Sequence, residues 1–99
     1  MNAVPSKLRS DAATRTLSLV WQDGTRGLLG HAALREACPC AGCRAARLAG
    51  TPPKAAPALR LTAIEPIGYG VQLVFDDGHD RGIFPWPYLA ALAAEAATA

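Results

Sequence analysis

Nothing in this chain is both long and apolar. The longest stretch without Asp, Glu, Lys or Arg, Gly82 to Ala94, has 13 residues and holds two prolines. A bilayer span takes about 20 apolar residues, so no membrane-crossing helix is expected. Lys7, Arg9, Asp11 and Arg15 interrupt the first 20 residues and leave no apolar stretch for a secretory leader. A cytoplasmic protein is the expectation. Aromatic residues are few (two Trp, two Tyr and two Phe), and none lies between Arg35 and Arg60. That stretch carries Arg35, Arg44, Arg47, Lys54 and Arg60 in a chain of net charge only +2. Nucleic-acid surfaces interleave clustered bases with aromatics and show pI above about 9; here the pI is 8.6. The arginines therefore read as a solvated face, with no nucleic-acid partner. Two histidines, His31 and His79, give no arguable Ser-His-Asp arrangement. Gly68-Tyr-Gly70 lacks the third glycine and the helix of a phosphate loop, and reads as a bend between strands. No catalysis of its own is expected.

Large apolar side chains are also limited. Of the 99 residues 51% are hydrophobic, but 21 are alanine and three are cysteine, which leaves 26 large apolar side chains. That suffices for one small domain, and a core of this size commonly leans on a metal, disulfides or a partner. A protein partner, or a second copy in a homodimer, is the corresponding expectation.

The pattern along the chain is a repeat. Thr16 to Trp21 alternates as a half-buried strand does, Asp23-Gly24 is a tight-turn signal, and Arg26 to Leu29 can return. From His31 the apolar period becomes helical through Ala33, Leu34 and Ala37, and Pro39 stops the helix near Cys38. Gly50 to Pro57 reads as a loop. Leu59 to Ile64, Val71 to Phe75 and Gly82 to Phe84 are three further strands, and Pro85-Trp-Pro87 opens a last helix. Leu19-Val-Trp-Gln-Asp-Gly-Thr-Arg-Gly-Leu-Leu29 aligns with Leu73-Val-Phe-Asp-Asp-Gly-His-Asp-Arg-Gly-Ile-Phe84, with one residue inserted after the shared Asp-Gly, and Leu34 falls opposite Leu89. The expected fold is a small α+β domain of two ββα-like units, an antiparallel sheet with short helices against it. Residues 1–15 are expected as a flexible lead-in, 16–92 as the domain and 93–99 as a tail. Trp21, Trp86 and Tyr88 read mainly as core, Trp86 also as a partly exposed anchor for a partner.

Chemistry concentrates in Cys38-Pro-Cys40-Ala-Gly-Cys43. An odd number of cysteines in a reducing compartment points away from disulfides. No helix or strand period turns all three inward, as three core cysteines would require. Three thiolates close in sequence converge at little loop-closure cost, and a tetrahedral Zn²⁺ takes them with one more ligand. His31, His79 or a carboxylate could be the fourth. His31 lies seven residues before Cys38 on the expected helix, about 10 Å away along its axis. His79 sits at the mouth of the second hairpin turn, where the repeat has its extra residue, and is the better candidate. An iron–sulfur cluster also takes cysteine with an occasional histidine, and Cys40 and Cys43 supply the Cys-x2-Cys of thiol redox chemistry, with Arg35 or Arg44 to assist.

These residues carry a family resemblance. Leu34-Arg35-Glu-Ala-Cys38-Pro-Cys40-Ala-Gly-Cys43, Ile64-Glu65-Pro66-Ile-Gly68 and Phe75-Asp-Asp-Gly-His79-Asp-Arg-Gly-Ile-Phe84-Pro-Trp86-Pro-Tyr88-Leu89 resemble the DUF971 family, the small domain similar to the N-terminal domain of γ-butyrobetaine hydroxylase. The resemblance runs from about Thr16 to Leu92. It implies a zinc site of three cysteines and a histidine from the later hairpin, here Cys38, Cys40, Cys43 and His79. It also implies that the metal is dispensable for the fold, since many stand-alone members lack the cysteines. Fusion of the domain to Mrp-type iron–sulfur carrier ATPases implies an iron–sulfur accessory role as the alternative. The hydroxylase's own chemistry belongs to a separate domain whose iron takes two histidines and a carboxylate, and no room for it is expected here. The functional expectation is a zinc-binding accessory or protein-interaction module. A separately encoded partner of a 2-oxoglutarate oxygenase is a further alternative.

Overall fold

Alternation builds the strands and proline or glycine punctuates them. The computed structural model describes residues 4–98. Leu17 and Leu19 are fully buried on β2 (Thr16–Val20), which lies between β1 (Lys7–Asp11) and β3 (Arg26–Gly30). Val71 and Leu73 do the same on β5 (Gly70–Phe75), between β4 (Leu61–Ile67) and β6 (Gly82–Pro85). The result is two three-stranded antiparallel sheets. Helix α1 (His31–Glu36) and α2 (Ala41–Leu48) follow the first sheet, and α3 (Trp86–Thr98) follows the second. The fold class is α+β.

The two halves repeat in register. Leu17 pairs with Leu29 and Leu19 with Gly27; Val71 pairs with Phe84 and Leu73 with Gly82. Each hairpin turn closes with the same two backbone bonds, Trp21 with Thr25 and Gly24 with Trp21, then Phe75 with His79 and Gly78 with Phe75. Gly24 and Gly78 hold φ of +90° and +86°, backbone that L side chains rarely adopt. Each helix begins with an N–H bonded to the turn that precedes the middle strand: His31 to the Arg15 carbonyl, Trp86 to that of Tyr69. His31 and Trp86 are therefore counterparts.

Several expectations need correction. Each ββα-like unit is preceded by a further strand, β1 or β4, and each half has its own antiparallel sheet. Lys7–Asp11, assigned to a flexible lead-in, pairs along its whole length with β2. Its sequence, Lys-Leu-Arg-Ser-Asp, offers one apolar residue and so no alternation to read. Residues 1–3 of that lead-in lie outside the described residues. The tail proposed at 93–99 continues α3 through Thr98, and Ala93 is buried; residue 99 lies outside the described residues. The strand expected over Leu59 to Ile64 runs instead from Leu61 to Ile67, with Pro66 inside it. An edge strand tolerates a proline because its outer face needs no ladder bond. Trp86 is 5% exposed, with its indole N–H donating to the Gly68 carbonyl at 3.1 Å, so it is core and no anchor.

Helix α3 of the second half packs on β3 of the first. A Cβ on Gly27 would stand 2.8 Å from Ala93 Cβ, and one on Gly82 would stand 2.8 Å from Cys38 Sγ. Glycine at each place lets the other half's chain, α3 at Ala93 and the bend after α1 at Cys38, sit directly on the strand. Among the described residues one polar side chain is fully buried, His31. Its Nδ1 accepts the Leu61 N–H of β4 at 3.0 Å, and its Nε2 lies 3.0 Å from Ser10 Oγ on β1. Acceptance at Nδ1 places the ring proton on Nε2, which donates to Ser10. Neutral His31 thus joins the two sheets, and burial lowers its pKa below the usual 6.5.

Candidate metal centre

Proline creates the site by breaking a helix. Helix α1 ends at Glu36 with Ala37 as its cap, and Cys38-Pro39 turns the chain before α2 starts. Cys40 is the N-cap of α2: its Sγ accepts the Cys43 N–H at 3.4 Å. That spacing puts Cys43 in the first turn of α2, facing inward, while Cys38 is fully buried against Gly82. Arg47, one turn further, fastens the bend by donating to the carbonyls of Glu36 at 3.1 Å and Cys38 at 2.7 Å. The Tyr88 hydroxyl donates to the Ala37 carbonyl from α3.

The second hairpin supplies the fourth group. Asp77 Oδ1 accepts the His79 N–H at 3.0 Å, which tightens the turn as Asp23 does for Thr25 at the equivalent place. The extra residue between His79 and Gly82 lifts the imidazole over the cysteines. Nε2 lies 3.2 Å from Cys38 Sγ, 3.6 Å from Cys40 Sγ and 3.7 Å from Cys43 Sγ. All four ligand atoms lie within 4.8 Å of one another, so Cys38, Cys40, Cys43 and His79 could hold a single metal ion. His31 is elsewhere, with both ring nitrogens engaged.

Electrostatics differ from thiol to thiol. Burial pushes the Cys38 thiol up to about 12, so a metal must displace its proton. For Cys40 desolvation also acts upward, but the N–H groups of the α2 first turn outweigh it and the pKa falls. Burial, then the charge of Arg35, lowers the His79 pKa and favours the neutral imidazole that a metal needs. Arg35, expected on a solvated face or, with Arg44, as an aid to a thiolate, turns inward. Its Nε donates to Asp77 Oδ2 at 3.0 Å and its Nη1 to Cys43 Sγ at 3.4 Å. The α2 helix was missed too, because its apolar face is made only of alanines, cysteine and one leucine. A cleft of about 650 Å³ opens beside the site, lined by Cys40, Cys43, Gln72, His79, Arg81 and Ile83 among others.

The γ-butyrobetaine hydroxylase-like N-terminal family model matches residues 8–90. The chain belongs to this family. A crystal structure of a DUF971-family protein of unknown function from Acidithiobacillus ferrooxidans is 34% identical, with a TM-score of 0.74 over 91% of this chain and 92% of that one. Two proteins solved by NMR in solution are each 30% identical. One has a TM-score of 0.74 over 99% of this chain and 78% of its own. The other has a TM-score of 0.73 over 94% and 72%. Comparison with curated proteins gave no match. The family match begins at Leu8, within β1, so the N-terminal strand is part of the γ-butyrobetaine hydroxylase-like domain.

Proposed function

We propose that this protein is a small accessory or protein-interaction module whose Cys38, Cys40, Cys43 and His79 hold one structural Zn²⁺, with no catalysis of its own. The convergence of the four ligand atoms carries the reading. In a tetrahedron with Zn–S near 2.3 Å and Zn–N near 2.0 Å, sulfur and nitrogen stand about 3.5 Å apart. The three separations here, 3.2, 3.6 and 3.7 Å, bracket that value. A complete shell of four protein ligands leaves no position for substrate, as in structural zinc sites. An iron–sulfur cluster shares its cysteines among several irons and needs a wider cage than 4.8 Å. Zinc here would tie the bend after α1 to the β5–β6 turn and so fasten one half of the repeat to the other. A family defined by the N-terminal part of a hydroxylase supports a module that works beside a separate protein.

Metal analysis and a visible spectrum of protein purified without added metal test this reading. One zinc per chain and no colour are expected, with the zinc lost in His79→Ala. Iron with sulfide and absorbance near 400 nm would replace zinc binding with cluster handling. Absence of any metal would remove the central claim.

A further inference from the structure

We propose that Arg35 is a positioning residue of the metal centre: it quiets the Cys43 thiolate and locks the turn that carries His79 onto the cysteine segment. The inference rests on the zinc reading above. Three thiolates and a neutral imidazole around Zn²⁺ leave a net charge of −1 on a centre set partly inside the protein. A thiolate in such a centre remains nucleophilic unless it is buried or receives a hydrogen bond. Cys38 is fully buried. Cys40 is part-exposed, receives the Cys43 N–H at 3.4 Å, and lines the cleft. Cys43 receives the one charged donor, Arg35 Nη1, at 3.4 Å.

The other end of the same guanidinium fixes the histidine. Arg35 Nε holds Asp77 Oδ2 at 3.0 Å while Asp77 Oδ1 holds the His79 backbone. One planar fork thus spans both halves of the ligand set, a geometry that Lys cannot reproduce. The first half of the repeat provides the contrast. Asp23 Oδ1 satisfies Thr25 alone, through its N–H and hydroxyl, with no arginine needed. Asp77 reaches across to α1 only where the turn carries a ligand. The Arg35 side chain is 15% exposed and that of Asp77 36%, so only the arginine end of the contact is shielded from solvent.

The test is site-resolved alkylation of zinc-loaded protein with iodoacetamide, in which sulfur displaces iodide, followed by peptide mass mapping. Wild type, Arg35→Gln, Arg35→Lys and Asp77→Asn are compared at equal zinc occupancy. In wild type Cys40 reacts first. In Arg35→Gln, Cys43 is expected to react about tenfold faster, the scale of losing one charge-assisted hydrogen bond, with Cys40 unchanged. Arg35→Lys keeps the charge and recovers part of that protection. In Asp77→Asn the guanidinium loses its anchor and Cys43 accelerates by a smaller factor. A Cys43 rate unchanged in Arg35→Gln overturns the inference while leaving the zinc site intact. Equal acceleration of all three cysteines also overturns it, since that is the mark of general loosening. Failure of wild type to take one zinc overturns the metal reading and this inference with it.

Discussion

The two halves of the domain share strand register, turn hydrogen bonds and helix start, and each presents a strand glycine to a residue of the other, yet only one of these two equivalent contacts gathers metal ligands. Three local differences account for this. The turn of the first half carries Thr25 where the second carries His79. The residue that meets the glycine of the opposite strand is Ala93 of α3 on Gly27 but Cys38, in the bend after α1, on Gly82. Pro39 breaks the first helix and allows Cys40 and Cys43 to turn back, whereas α3 runs unbroken from Trp86 to Thr98. The counterpart of the metal cleft is an apolar groove lined by Leu19, Leu28, Ala93 and Ala96 among others. A binding centre has been added to one copy of a packing arrangement that both copies retain.

Replacing His79 by the residue of the other turn breaks the comparison most severely. His79→Thr is expected to lose the zinc and about 4 kcal/mol of stability, the linkage contribution of a ligand about a thousandfold above its dissociation constant. Thermal melts with and without a chelator check this. The chelator should bring wild type down to the mutant and leave the mutant unmoved. The hydrophobic core contains Cys38 and Cys43 but is built mainly of leucines and phenylalanines that are not ligands, so the variant should remain folded.

His31 and Trp86 start equivalent helices with different chemistry, and His31→Ala separates them. It removes the group that receives the Leu61 N–H and pairs with Ser10, and leaves a cavity at a fully buried position. A loss of about 3 kcal/mol is expected in urea unfolding. The same residue sets a pH dependence. Its folded pKa lies below 6.5, so below that pH the unfolded chain binds a proton that the folded chain refuses. Stability is fully kept above pH 6.5 and falls as the pH drops through that value toward the folded pKa. His79→Thr leaves His31 as the sole histidine, and urea melts of that variant between pH 7.5 and 5.5 read it directly. A flat profile would contradict a buried neutral imidazole.

How much of this was legible in sequence follows from what each segment shows on its surface. The β2–β3 and β5–β6 hairpins announced themselves through alternating leucines and valines and the Asp-Gly pairs, and their alignment disclosed the repeat. The cysteine spacing and the position of His79 pointed to residues that the fold does bring together. β1 stayed hidden because it is an edge strand with one apolar residue, and α2 because alanines give no apolar stripe. Arg47 looked like any exposed arginine, and Arg35 was one of two candidates to assist a thiolate; the bend at Cys38-Pro39 assigns Arg35 to Cys43 and Arg47 to two carbonyls. The role of His31 was invisible because both its partners, Ser10 and Leu61, are distant in sequence.

The paired glycines sharpen the comparison further. Alanine at either position forces a 2.8 Å contact and should cost about 2 kcal/mol by overpacking. Gly27→Ala displaces Ala93 and should leave zinc affinity unchanged. Gly82→Ala displaces Cys38 Sγ and crowds Phe84, so the same stability loss should come with weaker zinc binding in a competition titration. Equal zinc affinity in the two variants would separate Cys38 from the metal.

The smallest effect is expected from the reverse substitution, Thr25→His. The first turn has the backbone to present a histidine, since its closing hydrogen bonds match those around His79. Thr25 is exposed, and its replacement should change stability by no more than about 0.5 kcal/mol. No second metal should bind, because the surface opposite offers alanines 93 and 96 with no thiolate, and the residue that lengthens the second turn is missing. Zinc counted in this variant should stay at the wild-type value. A second equivalent would mean that the turn histidine alone governs capture. One equivalent places the decisive difference between the halves in the broken helix, where Pro39 brings three sulfurs to one point.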